Sequence, residues 1–337
     1  MAPRIGYLLP TRERVMQGRP EAAPLLALAE RAENLGFDSI WVGDSLLARP
    51  RHDPLTLLAA VAARTRKPEL GTAVLLPALR NPVVLAQQIA TLDQISEGRY
   101  ILGVGIASDN PPIRAEFVAA GVPFEKRVGR MMEGLRLSRE LWTGEKINWN
   151  GRWVMENSVL GPTPHRPGGP PIWIGGMVRA ARERVGRLYD GWFPNAPDAK
   201  GWGEQFREIQ DIAREAGRKP EDVTGAIYLT LTIDEDAGRA DRRIDGFFEH
   251  YYGQPPAVMR GRQANYAGPA AGAGAWLKSY VDEGASHLVL RFAGDPERQM
   301  DTIARLRQEL GWWDILSSDT GSQIPMNCQA VFKAAKR

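Results

Sequence analysis

Apolar positions in this chain alternate between two periods. Leu25, Leu26, Ala29, Ala32 and Leu35 follow helical spacing, and Gly36 stops the run. Ser39-Ile40-Trp41-Val42 then reads as a short buried strand, because β-branched and aromatic side chains suit a pleated surface. Pro54 opens a second helical run, PLTLLAAVAAR, at a position where its missing N–H costs nothing. Residues 71–76 (GTAVLL) are strand again, and Pro82 opens a third helix, PVVLAQQIATLDQIS. Glu97-Gly98 turns the chain, and YILGV at 100–104 returns as strand. The first four strands begin near Arg4, Asp38, Glu69 and Arg99, each one βαβ unit after the last, so their sheet should be parallel.

Four more strands are predicted at 171–176, 190–195, 223–233 and 287–294. Eight strands alternating with helices predict an α/β chain folded as a closed (β/α)8 TIM barrel, with a doubly wound open sheet as the structural alternative. Insertions follow strand 4 and strand 7. Residues 107–170 hold a helix at about 127–142 and a hairpin, INWNGRWVM, whose Asn150-Gly151 pair suits a two-residue type I′ turn. Residues 234–272 hold another helix and an aromatic stretch, FFEHYYGQPP, read as irregular. Segments this long in a compact domain usually serve as lids or pocket walls. The pattern stops after Trp313, which divides the chain into a barrel domain, 1–313, and a tail, 314–337.

Composition narrows the class. Of 337 residues, 43% are hydrophobic and 25% charged, which excludes a disordered, collagen-like or coiled-coil chain. No apolar run is long enough to span a membrane, and the apolar run near the start is too short for a signal peptide, so a cytoplasmic protein is expected. The single cysteine, Cys328, excludes a disulfide framework, and four scattered histidines speak against a zinc-type site. A net charge of +3 without a dense basic run gives no reason to expect nucleic acid.

Barrels of this type bind ligands at the C-terminal ends of their strands. Those ends carry Leu9-Pro10-Thr11, Gly43-Asp44-Ser45, Thr72-Ala73-Val74, Gly105-Ile106-Ala107-Ser108, Gly175-Gly176-Met177, Pro194-Asn195 and Arg291. Gly175 and Gly176 precede a helix rich in arginine (Arg179, Arg182, Arg184), and its free N–H groups could cradle a phosphate; a tight βα turn needs the same glycines. Gly103 and Gly105 either clear space for a flat ring or allow close packing inside the barrel. Asp44 and Asp109 are candidate acids or bases, with helix caps or surface turns as the other reading. His52 lies close enough in sequence to reach the pocket. Trp41, Trp173 and Trp192 read as core, and Phe247, Phe248, Tyr251 and Tyr252 fall at helical spacing as packing residues or a ring-stacking wall.

Four segments together resemble the bacterial luciferase-like monooxygenase family of flavin- and deazaflavin-dependent oxidoreductases. They are AERAENLGFDSIWVGD, LGTAVLLPALRNPVVLAQQIATLDQISEGRYILGVGI, GVPFEKRVGRMMEGLRLSRELWTG with NGRWV, and PPIWIGG with DGWFP; a later stretch, GAGAWLKSYVDEGASHLVLRFAG, also fits. The resemblance implies a barrel, commonly a homodimer, with reduced FMN or coenzyme F-420 across its mouth. It implies a non-prolyl cis peptide at Ala73-Val74 against the ring, Thr72, Gly105 and Ile106 bordering it, and Gly175, Gly176, Met177, Arg179 and Asn195 around the phosphate. Asp44, His52 and Asp109 are the candidate catalytic groups. The chain departs from the family pattern by having Ser45 after the acidic residue of strand two, where many members have histidine. Deazaflavin-dependent sugar dehydrogenases have glutamate where Ser108 aligns. The leading expectation is therefore reduced FMN reacting with dioxygen on a small organic substrate, with a flavin reductase as partner. Hydride transfer from F-420 and non-catalytic flavin binding are the alternatives.

Overall fold

The computed structural model describes residues 2–196 and 198–312; the predicted tail at 314–337 lies outside them. Its strands are β1 (Arg4–Leu8), β2 (Ser39–Val42), β3 (Glu69–Thr72), β4 (Tyr100–Val104), β5 (Ile147–Asn150), β6 (Val154–Ser158), β7 (Ile172–Ile174), β8 (Gly191–Trp192), β9 (Thr224–Ile233), β10 (Asn265–Gly268) and β11 (His287–Phe292). Eight of them form a ring in the order β1-β2-β3-β4-β7-β8-β9-β11, closed by the β11–β1 ladder, and every pairing in it is parallel. The expected (β/α)8 barrel is present, and the open-sheet alternative is excluded. Helices pack around the ring. Those at Pro54–Arg64 and Pro82–Ile95 begin with proline as expected, capped by the Asp53 and Asn81 side chains. Among the described residues no helix is long and apolar enough to cross a membrane.

The barrel interior is filled from a few large side chains. Trp41 on β2 and Trp173 on β7 meet with ring centroids 5.4 Å apart, and Phe193 lies 4.8 Å from Trp41. Neighbouring strands make room with glycine: a Cβ on Gly71 would fall 2.2 Å from the Trp41 ring. At the lower end the Trp41 indole N–H donates to Ser39 Oγ at 2.7 Å, and His287 Nε2 lies 2.7 Å from the same hydroxyl. Burial pushes the His287 imidazole down to about 3, so it is neutral. Trp192 points the other way, stacking on Trp202 at 5.7 Å in the layer between ring and helices.

Several expectations shift. The strand predicted at 71–76 stops at Thr72; the Ala73-Val74 peptide is cis, as the resemblance implied, and pairing resumes at Leu75. The hairpin is β5–β6, but Asn150 pairs with Val154, leaving three residues in the loop instead of a two-residue Asn-Gly turn. Glu133 holds that loop by accepting the Arg152 N–H at 2.6 Å and pairing with its guanidinium. FFEHYY is not irregular: it ends the helix Ala237–Tyr252. The unforeseen strand β10 pairs with the upper half of β9, which is ten residues long and rises beyond the ring.

Candidate functional site

Because β9 overshoots the ring, a wall stands over one side of the C-terminal mouth. Beneath it lies a cavity of about 800 Å³. Its two sides differ in chemistry. Toward β3, β4 and β7 it is lined by Ala73, Val74, Gly105, Ile106, Gly175 and Phe193, a surface of backbone and small apolar groups. Val74 sets that surface: a Cβ on Gly105 would come within 2.7 Å of its side chain, and one on Gly175 within 3.1 Å. Toward β1, β9 and β11 the lining includes Arg12, Arg51, Arg291, Tyr228, Tyr251, Tyr252 and Gln263.

The candidate catalytic groups divide. Asp44 lines the cavity, but its side chain is 1% exposed and both oxygens are engaged: Arg80 approaches at 2.6 and 3.0 Å, and the Leu76 N–H donates at 2.8 Å. It ties the end of β2 to the chain after β3 and is not a free acid or base. Ser45 donates to Glu116 at 2.7 Å, and the buried Glu116 carboxylate also accepts the Leu47 and Ala48 N–H groups, which fixes the loop above Asp44. Asp109 reaches the lip of the cavity, yet it is 55% exposed, and paired hydrogen bonds from Arg114 hold it below the usual carboxylate range. His52 is not part of the lining: its Nε2 donates to the Pro20 carbonyl at 2.7 Å, across a separate loop contact. Sequence proximity to β2 misled there: Ser45, Ala48, Arg49 and Arg51 do line the cavity, but the His52 ring is turned to the Pro20 carbonyl.

Of the cofactor-binding candidates, Ala73, Val74, Gly105, Ile106, Gly175 and Asn195 come together in the cavity. Asn195 also accepts the Ala264 N–H at 3.2 Å, joining the rim to β10. Thr72 does not reach the cavity; its hydroxyl donates to the Gly103 carbonyl at 2.7 Å within the wall. Gly176, Met177 and Arg179 lie on the outer edge of the rim, outside the lining. The Gly175 N–H is used by the Val104 carbonyl at 2.9 Å, whereas those of Gly176 and Met177 have no partner among the described residues. Arg179 is 78% exposed and, among the described residues, paired only with Glu183, while Arg182 is tied to Glu208 and the Met177 carbonyl.

Sequence reasoning gave no role to the cationic side of the cavity. Arg291, although named at the rim, sits in HLVLRF, a strand buried along its whole length. A charge in such a run must be paired or face a ligand, and that was the available signal. Its Nη2 donates to Thr230 at 3.0 Å, Tyr252 at 2.8 Å and Gln263 at 3.3 Å. Burial opposes its charge, but Tyr228, Tyr252, Tyr251 and Glu13 outweigh that and keep it protonated.

Comparison with known proteins shows the family and the fold. The family model for luciferase-like monooxygenase matches residues 3–312. The chain is 30% identical over 321 residues to an F-420-dependent glucose-6-phosphate dehydrogenase of Amycolatopsis mediterranei, covering 84% of this chain and 94% of that one. It is 32% identical over 212 residues to a 5,10-methylenetetrahydromethanopterin reductase of Methanolobus tindarius, a match spanning 63% of this chain and 62% of the relative. Among solved structures, a long-chain alkane monooxygenase superposes with a TM-score of 0.77 at 15% identity, over 94% of this chain and 93% of that one, which speaks for the fold. The chain belongs to the luciferase-like monooxygenase family.

Proposed function

We propose that this protein is an F-420-dependent oxidoreductase that passes hydride between the deazaflavin and a small organic substrate. The observation that carries the reading is the flat half of the cavity around Val74, in a chain whose near-full-length relative is named as F-420-dependent. Reduced FMN with dioxygen, the leading expectation from sequence, has weaker support, since the monooxygenase neighbour shares the fold at low identity.

The residues present fit such a group. Val74, Gly105, Ile106 and Gly175 would face a planar ring, and no side chain larger than valine or isoleucine projects from those four positions. The unpaired N–H groups of Gly176 and Met177 would meet its phosphate at the rim, with Arg179 outside for a more anionic tail. When bound, F-420 supplies a two-electron hydride carrier. The protein's task is then to position the substrate carbon and manage one proton on its oxygen. Ser45 and Ser108 stand where the resemblance would place histidine and glutamate, so glucose-6-phosphate dehydrogenation is not the proposed reaction. Tyr251 takes the proton role instead: its hydroxyl accepts a hydrogen bond from Arg51 at 3.1 Å, it lines the cavity, and its own proton has no partner among the described residues.

Titration of the purified protein with F-420 and with FMN, followed by fluorescence, tests the reading. Saturable binding of F-420 and at least tenfold weaker binding of FMN is expected. The reverse preference would overturn it.

A further inference from the structure

The cavity wall toward β1, β9 and β11 is built of arginines and tyrosines. Arg12, Arg51 and Arg291 converge on Tyr251: the Arg12 and Arg291 guanidinium carbons lie 4.5 and 4.6 Å from its ring centroid, and Arg51 Nη2 is 3.1 Å from its hydroxyl. Arg291 is 2% exposed and also faces the rings of Phe247 at 4.7 Å, Tyr228 at 5.2 Å and Tyr252 at 5.4 Å. Cation–π contact moderates the cost of burying these charges but leaves their N–H groups to be satisfied. Arg12 Nε and Nη1 and Arg291 Nε are all buried without a hydrogen-bond partner among the described residues. Among the described residues, the acid acting on all three arginines is Glu13, which is outside the cavity lining; Asp44 is spent on Arg80 and Asp109 on Arg114. Three buried or half-buried guanidiniums against one carboxylate leave an uncompensated positive charge, and Arg49 and Arg262 at the same cavity add to it.

We propose that this half of the cavity holds the anionic head group, a carboxylate or a phosphate monoester, of the substrate, gripped by Arg12, Arg51 and Arg291 against the tyrosine wall. The proposal rests on the oxidoreductase reading for the word substrate, and on the arginines alone for the word anion. The two halves have separate tasks: the Val74 side offers no charge for an anion, while the β9–β11 side offers no flat backbone surface for a ring. An anchored head group would leave the rest of the molecule lying toward Val74.

Benzoate, phenyl phosphate and the neutral benzamide, each titrated calorimetrically into the full chain, test this. Charge-assisted hydrogen bonds predict that at least one anion binds roughly 10- to 100-fold more tightly than benzamide, and the tighter anion names the head group. Arg291→Met and Arg12→Met should each erase that preference while F-420 affinity stays within about threefold. Arg12 is only partly buried, so its variant carries the test should Arg291→Met fail to fold. Equal binding of all three probes would overturn the proposal. So would a parallel loss of F-420 affinity in the variants, because the arginines would then belong to the cofactor. If the wild-type protein prefers an anion but binds no F-420, the anion site stands and the proposed function falls.

Discussion

Replacing Asp44 by asparagine separates two roles that look alike in the sequence. As an acid or base, Asp44 would matter to rate; as the partner of Arg80, it matters to the rim. The structure favours the second. In Asp44→Asn the side chain would keep one acceptor but turn an amide N–H₂ toward a guanidinium that is itself only 14% exposed. Two charge-assisted bonds from Arg80 and one from the Leu76 N–H converge on the carboxylate. Losing one of the three and weakening another, with a buried charge left half-paired, costs about 3 kcal/mol. At roughly 1.4 °C per kcal/mol for a chain of this size, Tm should fall by about 4 °C. Because the clamp positions the segment that carries Val74, F-420 affinity should weaken as well, while turnover of the cofactor-saturated enzyme changes less than about tenfold. Differential scanning fluorimetry with steady-state kinetics on the same preparation reads both quantities. An unchanged Tm with turnover down about a thousandfold would refute the argument and restore Asp44 as a catalytic group.

Four further outcomes follow from the geometry. Gly71→Ala should destabilise by about 1–3 kcal/mol in urea unfolding, because its Cβ meets the six-membered ring of Trp41, and adding Trp41→Phe should return part of the loss in a double-mutant cycle. Acid should weaken the fold through His287: the unfolded imidazole takes a proton near its ordinary 6.5, the folded one only near 3, so stability is flat above 6.5, falls as the pH drops from 6.5 toward 3 and levels off below that. By pH 5 the loss is about 2 kcal/mol, and a His287→Gln variant that folds should lack that slope in unfolding titrations. Tyr251→Phe should lower kcat by about 10²-fold or more in steady-state kinetics, with F-420 affinity unchanged. Asp109→Asn should leave both turnover and Tm unaltered, since its pair with Arg114 is about half exposed and screened by solvent.

The ring was legible because its strands are short buried runs at regular spacing, and burial of β-branched and aromatic residues leaves few other readings. Val74, Gly105 and Gly175 were placed because strand ends fix the rim and glycine marks a close approach. The segment 45–53 was harder. Its first residues are held by Glu116, far along the chain, which gathers the hydroxyl of Ser45 and the N–H groups of Leu47 and Ala48, and His52 is turned to the Pro20 carbonyl. Asp44 was visible as a rim carboxylate, but its saturation by Arg80 depends on how the chain leaves β3. The arginine–tyrosine cluster draws on residues 12, 51, 228, 251, 252 and 291, which no local pattern links. Only the charge within HLVLRF betrayed it. The Asn150-Gly151 turn failed for a similar reason: a hairpin signal read locally was overridden by the Glu133 contact from the neighbouring helix.

The length of β9 has an implication for how this scaffold can diversify. One ribbon both closes the ring and props up the overhang, so the pocket's ceiling and the molecule's foundation share a continuous backbone. Exchanging the overhang between relatives as though it were a detachable visor should disturb ring closure unless the graft begins within that ribbon. Recruitment of new specificities should therefore proceed by changing side chains on an inherited canopy more readily than by replacing the canopy itself.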